Sequence, residues 1–280
     1  MIANLVKTAG RVAGLIAPRW TERTAARLFI TPRRRRVSAE TGPWTVTRVP
    51  RLSSHLAVWS AGRGPTVILV HGWEDDHGSM MHFAAPLIAR GYRVVAYDQP
   101  AHGRSEGRRA TIPDFARALA GMARDHGPVH GVIAHSLGGA AVALAIAEGL
   151  EVGRVAIVAA PAQAVAYIRE TAKRLGLSDR RAAGMLAEIS RIAGYPAEMI
   201  DAQVLTRDFS TPALFVHADN DRVVPLADGF ANAEAWPGAT LRLVSGLGHR
   251  RVLEDPGVVE TVVDFIAPGC PEAERVDWAS

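Results

Sequence analysis

The sequence predicts an α/β fold: a mostly parallel, doubly wound sheet of about eight strands, with helices on both faces and a helical cap insertion. Three observations predict it. Short runs that are apolar throughout, such as TVILVH (66–71), RVVAYD (93–98), VHGVIAH (129–135), RVAIVAA (154–160) and ALFVHA (213–218), read as strands buried on both faces. Helix-like stretches at 79–90, 113–126, 137–149 and 227–236 lie between most of the strands, and another follows at 257–266, which implies parallel strands covered by crossover helices. The connection 161–212 is too long for a simple crossover and carries helical patterns, AVAYIRETAKRLG and RRAAGMLAEISRIAG, so it reads as an insertion over one end of the sheet.

The remaining strands follow from local pattern. WTVTRV and HLAVWSA, from residue 44 onward, read as a short antiparallel start, and TLRLVS (240–245) as a last strand. The 280 residues and 48% apolar content suit one large domain with a sizeable core. The division expected is an amphipathic, basic helical arm over 1–43 and an α/β domain over 44–280, with 161–212 as its cap. No apolar run approaches the roughly 20 residues of a membrane span. The single cysteine, Cys270, cannot form an internal disulfide, so nothing demands an oxidising compartment.

Charge is unevenly placed. The net charge is +4, but residues 1–40 hold nine Lys or Arg and two acids, Glu22 and Glu40. That leaves a mildly acidic body and argues against nucleic acid as a partner, since basic and aromatic residues do not interleave. In 2–17, Ile2, Leu5, Val6, Ala9, Val12, Ala13 and Ile16 share one helical face, with Asn4, Lys7, Thr8 and Arg11 opposite. Lys7 and Arg11 interrupt the apolar run, which argues against a secretory signal. The helix is expected to bury its stripe on the domain or a partner subunit. The alternative is an interfacial helix on anionic lipid, helped by the four arginines at 33–36.

The chemistry centres on VIAHSLGG (132–139), where a buried strand runs into a small-residue helix. A sharp turn there can expose Ser136 at the C-terminal edge of the sheet. It crowds the residues two before and two after, here Ala134 and Gly138. The helix N-terminus behind it suits a developing oxyanion. The plain alternative is that Ser136 caps the helix. A nucleophilic serine needs a base and an acid. HADNDRVVP places Asp219 and Asp221 just after the strand 213–218, and GLGHRR places His249 just after 240–245. The chain order Ser…Asp…His, each after a strand, is that of an α/β-hydrolase.

Four motifs in order carry a resemblance to the α/β-hydrolase fold superfamily over roughly 44–267, in its serine-hydrolase, esterase- or lipase-like branch. VHGW (70–73) resembles the family's His-Gly loop. DQPAHGRS (98–105) resembles its Asp-x-Pro-Gly-His-Gly-x-Ser segment, with Ala101 in place of Gly. AHSLGG (134–139) resembles its nucleophile elbow, with Ala134 in place of Gly. DRVVP and GHRR resemble its acid and base loops. The resemblance implies that Ser136 attacks an acyl carbonyl, His249 takes its proton and Asp221 orients His249. Asp221 is preferred over Asp219, which is expected to turn the loop. The backbone N–H groups of Trp73 and Leu137 would hold the oxyanion, supported by His71, Gly72 and Gly138.

The other polar residues have structural readings. His135 is expected to pack beside the elbow, and Asp98, His102 and Arg104 to form a turn network. WEDDHGSMMH (73–82) is expected to be a solvated loop leading into a helix, not a metal site. The function expected is hydrolysis of a carboxylic ester through an acyl-enzyme, with a small acyl substrate and neither metal nor organic cofactor. A thioesterase or peptidase-type hydrolase is the alternative, and a non-catalytic binding protein a third. The expected location is the cytoplasm, with peripheral membrane or oligomer contact through 2–17 as a further expectation.

Overall fold

The computed structural model describes residues 2–34, 44–51 and 54–268. Arg35, Arg36, Glu40 and Cys270 lie outside the described residues. Among the described residues eight strands form one sheet: β1 (Thr45–Arg51), β2 (Ser54–Ala61), β3 (Thr66–Val70), β4 (Arg93–Tyr97), β5 (Val129–His135), β6 (Arg154–Val158), β7 (Ala213–Ala218) and β8 (Thr240–Val244). Their order is β1-β2-β4-β3-β5-β6-β7-β8. The β1–β2 and β2–β4 ladders are antiparallel and the rest are parallel.

The central strands are apolar along most of their length because each covers two cores. Ile68, Val70, Val132, Ala134, Ile157 and Phe215 face one side. Val67, Leu69, Ile133, Ala156, Val158 and Val216 face the other. The eleven α-helices among the described residues are α1 (Ile2–Ile16), α2 (Pro18–Phe29), α3 (Ala84–Ala89), α4 (Ile112–His126), α5 (Leu137–Ala147), α6 (Ala164–Arg174), α7 (Asp179–Ala193), α8 (Ala202–Leu205), α9 (Leu226–Ala235), α10 (Gly248–Arg251) and α11 (Pro256–Ile266). α4 and α5 cover the first face through Leu119, Met122, Val142 and Leu144. α3 and α11 cover the second through Leu87, Val258, Val262 and Ile266.

From β3 the chain moves outward one way to β4 and the other way to β5. The loops after β3 and β5 therefore flank a switch point, where the C-terminal edge of an open parallel sheet leaves a crevice. β7 and β8 end on the same edge, which brings their loops to that crevice.

Residues 164–197 build a third core of their own. Ile168 and Ala172 of α6 meet Met185, Leu186 and Ile189 of α7. Ala25 and Ala26 of α2 and the following Ile30 are buried in that same core. Residues 18–34 are thus joined to the cap and body, although the sequence groups them with a separate arm. Ala110 N–H donates to the Ile30 carbonyl. The Arg34 guanidinium donates to the carbonyls of Gly103, Ser105 and Gly107 at 2.8, 2.7 and 2.9 Å. Glu22 of α2 pairs with Arg181 of α7 at 2.6 Å. α2 escaped the sequence reading because its buried face is Thr21, Ala25 and Ala26, too small to mark an apolar period.

α1 behaves differently. It approaches the cap by its glycines: a Cβ on Gly10 would fall 1.9 Å from the Leu175 carbonyl oxygen, and Gly14 lies against Arg181. Val6, Val12, Leu15 and Ile16 remain exposed, so the expectation that this helix buries its stripe is not met within the chain. Deleting 2–16 is therefore expected to leave the unfolding midpoint within about 2 °C, since little apolar side chain is uncovered. Deleting 2–30 strips Ala25, Ala26 and Ile30 from the cap core and is expected to lower it by roughly 5 °C or more. Equal midpoints for the two truncations, measured by calorimetry, would contradict the shared core.

Candidate active site

Ser136 sits between β5 and α5 with φ 50° and ψ −125°, a conformation costly for any residue with a Cβ. Three local features hold it there. Ser136 N–H donates to the Val158 carbonyl of β6 at 2.9 Å. A Cβ on Gly138 would lie 2.8 Å from the His71 carbonyl oxygen and 2.9 Å from that of Val70, so only glycine lets α5 start so close to β3. A Cβ on Gly72 would lie 2.9 Å from the Ser136 Cβ, so the loop after β3 must also be bare at that point.

The side chain of Ser136 does not cap α5. Its Oγ lies 3.1 Å from His249 Nε2. His249 Nδ1 in turn lies 2.7 Å from Asp221 Oδ2. With Nδ1–H donating to the carboxylate, Nε2 is left to accept the serine proton. The structure thus brings together the three residues singled out from the sequence, from the ends of β5, β7 and β8. The N–H groups of Trp73 and Leu137, at the ends of β3 and at the start of α5, find no acceptor among the described residues.

The side chain of Asp221 is buried, and its second oxygen accepts the N–H groups of Val223 and Val224 at 2.7 and 2.9 Å. Burial pushes this carboxyl up, but the hydrogen bond from His249, with those from Val224 and Val223, outweighs it and holds it below the usual range. Asp219 turns away: its Oδ1 accepts Gly246 N–H at 3.0 Å, and Asn220 Oδ1 accepts Gly248 N–H at 2.8 Å. These two bonds tie the acid loop to the histidine loop.

One supporting residue was not found from the sequence. His217 at the end of β7 is buried, donates Nε2–H to the Val224 carbonyl at 3.1 Å and lies 3.9 Å from Asp221 Oδ2. Its place in FVHADND, just ahead of the acid loop, was the available signal.

His71 is buried; its Nδ1–H donates to the Gly72 carbonyl at 2.7 Å and its Nε2 accepts Gln99 N–H at 2.9 Å. It fixes the loop that carries Trp73. Asp98, His102 and Arg104 do form a turn network. Asp98 Oδ2 accepts Arg104 N–H at 2.6 Å, and His102 Nδ1–H donates to the Pro100 carbonyl at 2.9 Å. The expectation of a solvated loop over 73–82 needs correction. Asp76 and His77 are buried. Asp98 Oδ1 accepts both the backbone N–H and Nδ1–H of His77, at 2.8 and 2.9 Å, and the His77 ring stacks on Trp59 of β2 at 3.4 Å. Long-range partners bury a segment whose local composition reads as polar. Among the described residues no three or more His, Cys, Asp or Glu converge as metal ligands.

A cavity of about 910 Å³ opens over Ser136, Trp73 and Leu137. Its upper wall comes from Ile168 and Ile189 of the cap and from Ile30 after α2. Tyr167, also on the wall, donates its hydroxyl to Asp228 Oδ2 of α9 at 2.6 Å, strapping α6 to the body.

The comparisons with known proteins agree with this geometry at the level of the family. The model of the alpha/beta hydrolase family matches residues 67–262. The chain belongs to that family. It is 25% identical over 250 residues to a monoacylglycerol lipase of Mycolicibacterium smegmatis, covering 71% of this chain and 86% of that protein. It is 28% identical over 257 residues to a non-heme chloroperoxidase of Streptomyces lividans, covering 72% and 91%. Among solved structures, mouse alpha/beta hydrolase domain-containing protein 10 superposes with a TM-score of 0.64 at 18% identity, over 79% of this chain and 96% of that one. The last comparison speaks to the fold alone. The family model begins at β3 and leaves α1 and α2 outside it.

His135 packs under the elbow. Its Nε2–H donates to the His249 carbonyl at 2.9 Å, and its buried Nδ1 has no partner. Burial first, then the neighbouring His249, pushes its pKa down to about 3. His102, with Nε2 unpartnered, is pushed down by burial and by His71 to about 3 as well. The unfolded chain takes up protons on these imidazoles near pH 6.5, so between about 6.5 and 3 it binds more protons than the folded chain. Stability is then expected to fall as pH falls through that window. Unfolding midpoints measured from about pH 7 to pH 4 should drop, and less steeply in His135→Gln, which removes one of the two groups. A slope unchanged by His135→Gln would contradict a neutral buried His135.

Proposed function

We propose that this protein is a serine hydrolase that cleaves a carboxylic ester through an acyl-enzyme. The observation that carries the reading is the continuous contact from Ser136 Oγ to His249 Nε2 at 3.1 Å and from His249 Nδ1 to Asp221 Oδ2 at 2.7 Å. A serine hydroxyl is a weak nucleophile until a neutral imidazole can take its proton, and the imidazole serves only if its other nitrogen is held as the donor.

The steps follow from those contacts. Ser136 Oγ attacks the ester carbonyl carbon while its proton passes to His249 Nε2. The buried carboxylate of Asp221 stabilises the imidazolium that results. The carbonyl oxygen becomes an oxyanion, to which the N–H groups of Trp73 and Leu137 are the available donors, reinforced by the N-terminal end of α5. Collapse of the tetrahedral intermediate breaks the bond to the alkoxy group, which leaves with the proton from His249. Water then attacks the acyl-enzyme by the same sequence and releases the acid. The chain supplies nucleophile, base, acid and oxyanion donors itself.

The mostly apolar lining of the cavity favours an apolar acyl group, and the near balance of charge over 161–212, seven basic against six acidic residues, favours no strongly ionic substrate. The names of relatives that include a lipase accord with ester cleavage. Thioesters and amides pass through the same intermediate, so the ester assignment rests on the leaving group and needs a direct comparison.

The test is kinetic. Ser136→Ala is expected to lower kcat on p-nitrophenyl esters by on the order of 10⁶. Asp221→Asn is expected to cost roughly 10⁴, by leaving His249 with the wrong tautomer, while Asp219→Asn costs far less. Full activity in Ser136→Ala would sink the proposal, and a larger loss in Asp219→Asn would move the acid to Asp219. A panel of p-nitrophenyl esters beside acyl-CoA and aminoacyl substrates ranks the leaving groups.

A further inference from the structure

α1 and α2 carry an exposed apolar surface that no part of the described chain covers. Leu15 is 84% exposed, Ile16 79%, Trp20 64%, and Val6 and Val12 are exposed as well. Contiguous apolar exposure of this kind is uncommon on a monomer surface and marks a contact with something else. The inward sides of the two helices are already occupied. α1 meets the turn at Leu175–Gly176 through Gly10 and the Arg181 side chain through Gly14, and α2 meets α7 through Ala25 and Ala26. The large residues point away because the small ones face the body.

The charge around this surface identifies its occupant. Residues 2–34 hold seven basic side chains, Lys7, Arg11, Arg19, Arg23, Arg27, Arg33 and Arg34, against one acid, Glu22. That acid is neutralised by Arg181, and Arg34 is spent on the carbonyls of the 103–107 turn. Lys7, Arg11, Arg19, Arg23 and Arg27 are exposed, and among the described residues none of them is in an ion pair. On α1, Arg11 borders Leu15 at the edge of the arc of Val6, Val12, Leu15 and Ile16 on the helical wheel, and on α2 Arg23 and Arg27 border Trp20. Large apolar residues flanked by exposed cations, with a tryptophan among them, match the boundary between acyl chains and anionic headgroups, although Arg23 and Arg27 also act on Glu188 of α7. A second copy of the chain would bring the same positive surface against itself, which is unfavourable. No helix among the described residues is long and apolar enough to cross a membrane, so the contact would be peripheral.

We propose that α1 and α2 dock this protein on an anionic lipid surface, with Val12, Leu15, Ile16 and Trp20 entering the interface and Arg11 and Arg19 holding the headgroups. This holds independently of the role given to Ser136. The same segment goes on to contribute Leu28, Phe29 and Ile30 to the cavity over Ser136, so the docking surface and the cavity share one stretch of chain.

The test is co-sedimentation of the full chain with vesicles of phosphatidylcholine alone, and of equal parts phosphatidylcholine and phosphatidylglycerol. Binding is expected only to the second, falling as salt is raised. The double variant Arg11→Gln, Arg19→Gln is expected to weaken it by roughly 25-fold, from about fivefold for each cation at the surface. Leu15→Gln, Ile16→Gln and Trp20→Gln together are expected to abolish it. All five positions are exposed, so the unfolding midpoint serves as the control for folding. Failure to bind anionic vesicles, equal binding to neutral ones, or binding that survives both variants would overturn the proposal. A concentration-dependent dimer in analytical ultracentrifugation that the apolar variant dissolves, without vesicle binding, would overturn it in favour of a second copy.

Discussion

The reversal of the chain at Ser136 is the constraint on which the site depends. Its backbone stays at φ 50° only because neighbours on three sides leave no other arrangement. β6 accepts its N–H, β3 presses on Gly138, and Gly72 presses on its Cβ. The strain is carried by the parallel sheet, whose apolar strands bury both faces and do not yield. The same contacts that force the turn also set the loop of Trp73 beside the start of α5. Nucleophile position and donor position are thus consequences of one packing event between β3, β5 and β6.

Around that point, buried polar groups fix the loops one after another. Asp98 holds His77 and Arg104, His71 holds Gly72 and Gln99, and His135 holds the carbonyl of His249. Asp219 and Asn220 tie the acid loop to the histidine loop, leaving Asp221 for His249. None of these groups lies where a substrate would touch it. Their effect is to remove freedom from groups that do, which is where much of the advantage of a preorganised site arises.

What was legible in the sequence follows from the range of the forces involved. Strands buried on both faces announce themselves as continuous apolar runs, and loops at one sheet edge follow from the order of strands, so Ser136, Asp221 and His249 could be named together. The burial of His77 could not, because it depends on Trp59 and Asp98, far away in the chain, while its neighbours Glu74, Asp75 and Asp76 read as solvated. α2 was missed because alanine and threonine make its contact face. α1 was read with the period it shows, but its stripe does not meet the domain: glycines rather than valines face the cap. His217 lay in plain view before the acid loop and needed only the direction of the β7 side chains.

The central claim is that Ser136 is an activated nucleophile, and an active-site-directed fluorophosphonate addresses it without assuming a substrate. Such a reagent reacts with a serine whose proton a neighbouring base accepts and leaves ordinary serines alone. Intact mass and peptide mapping after labelling of the folded protein are predicted to give a stoichiometric phosphonyl adduct on the peptide containing Ser136, which does not form when the protein is unfolded before labelling or in His249→Ala. An unmodified protein, or an adduct confined to another residue, would contradict the account.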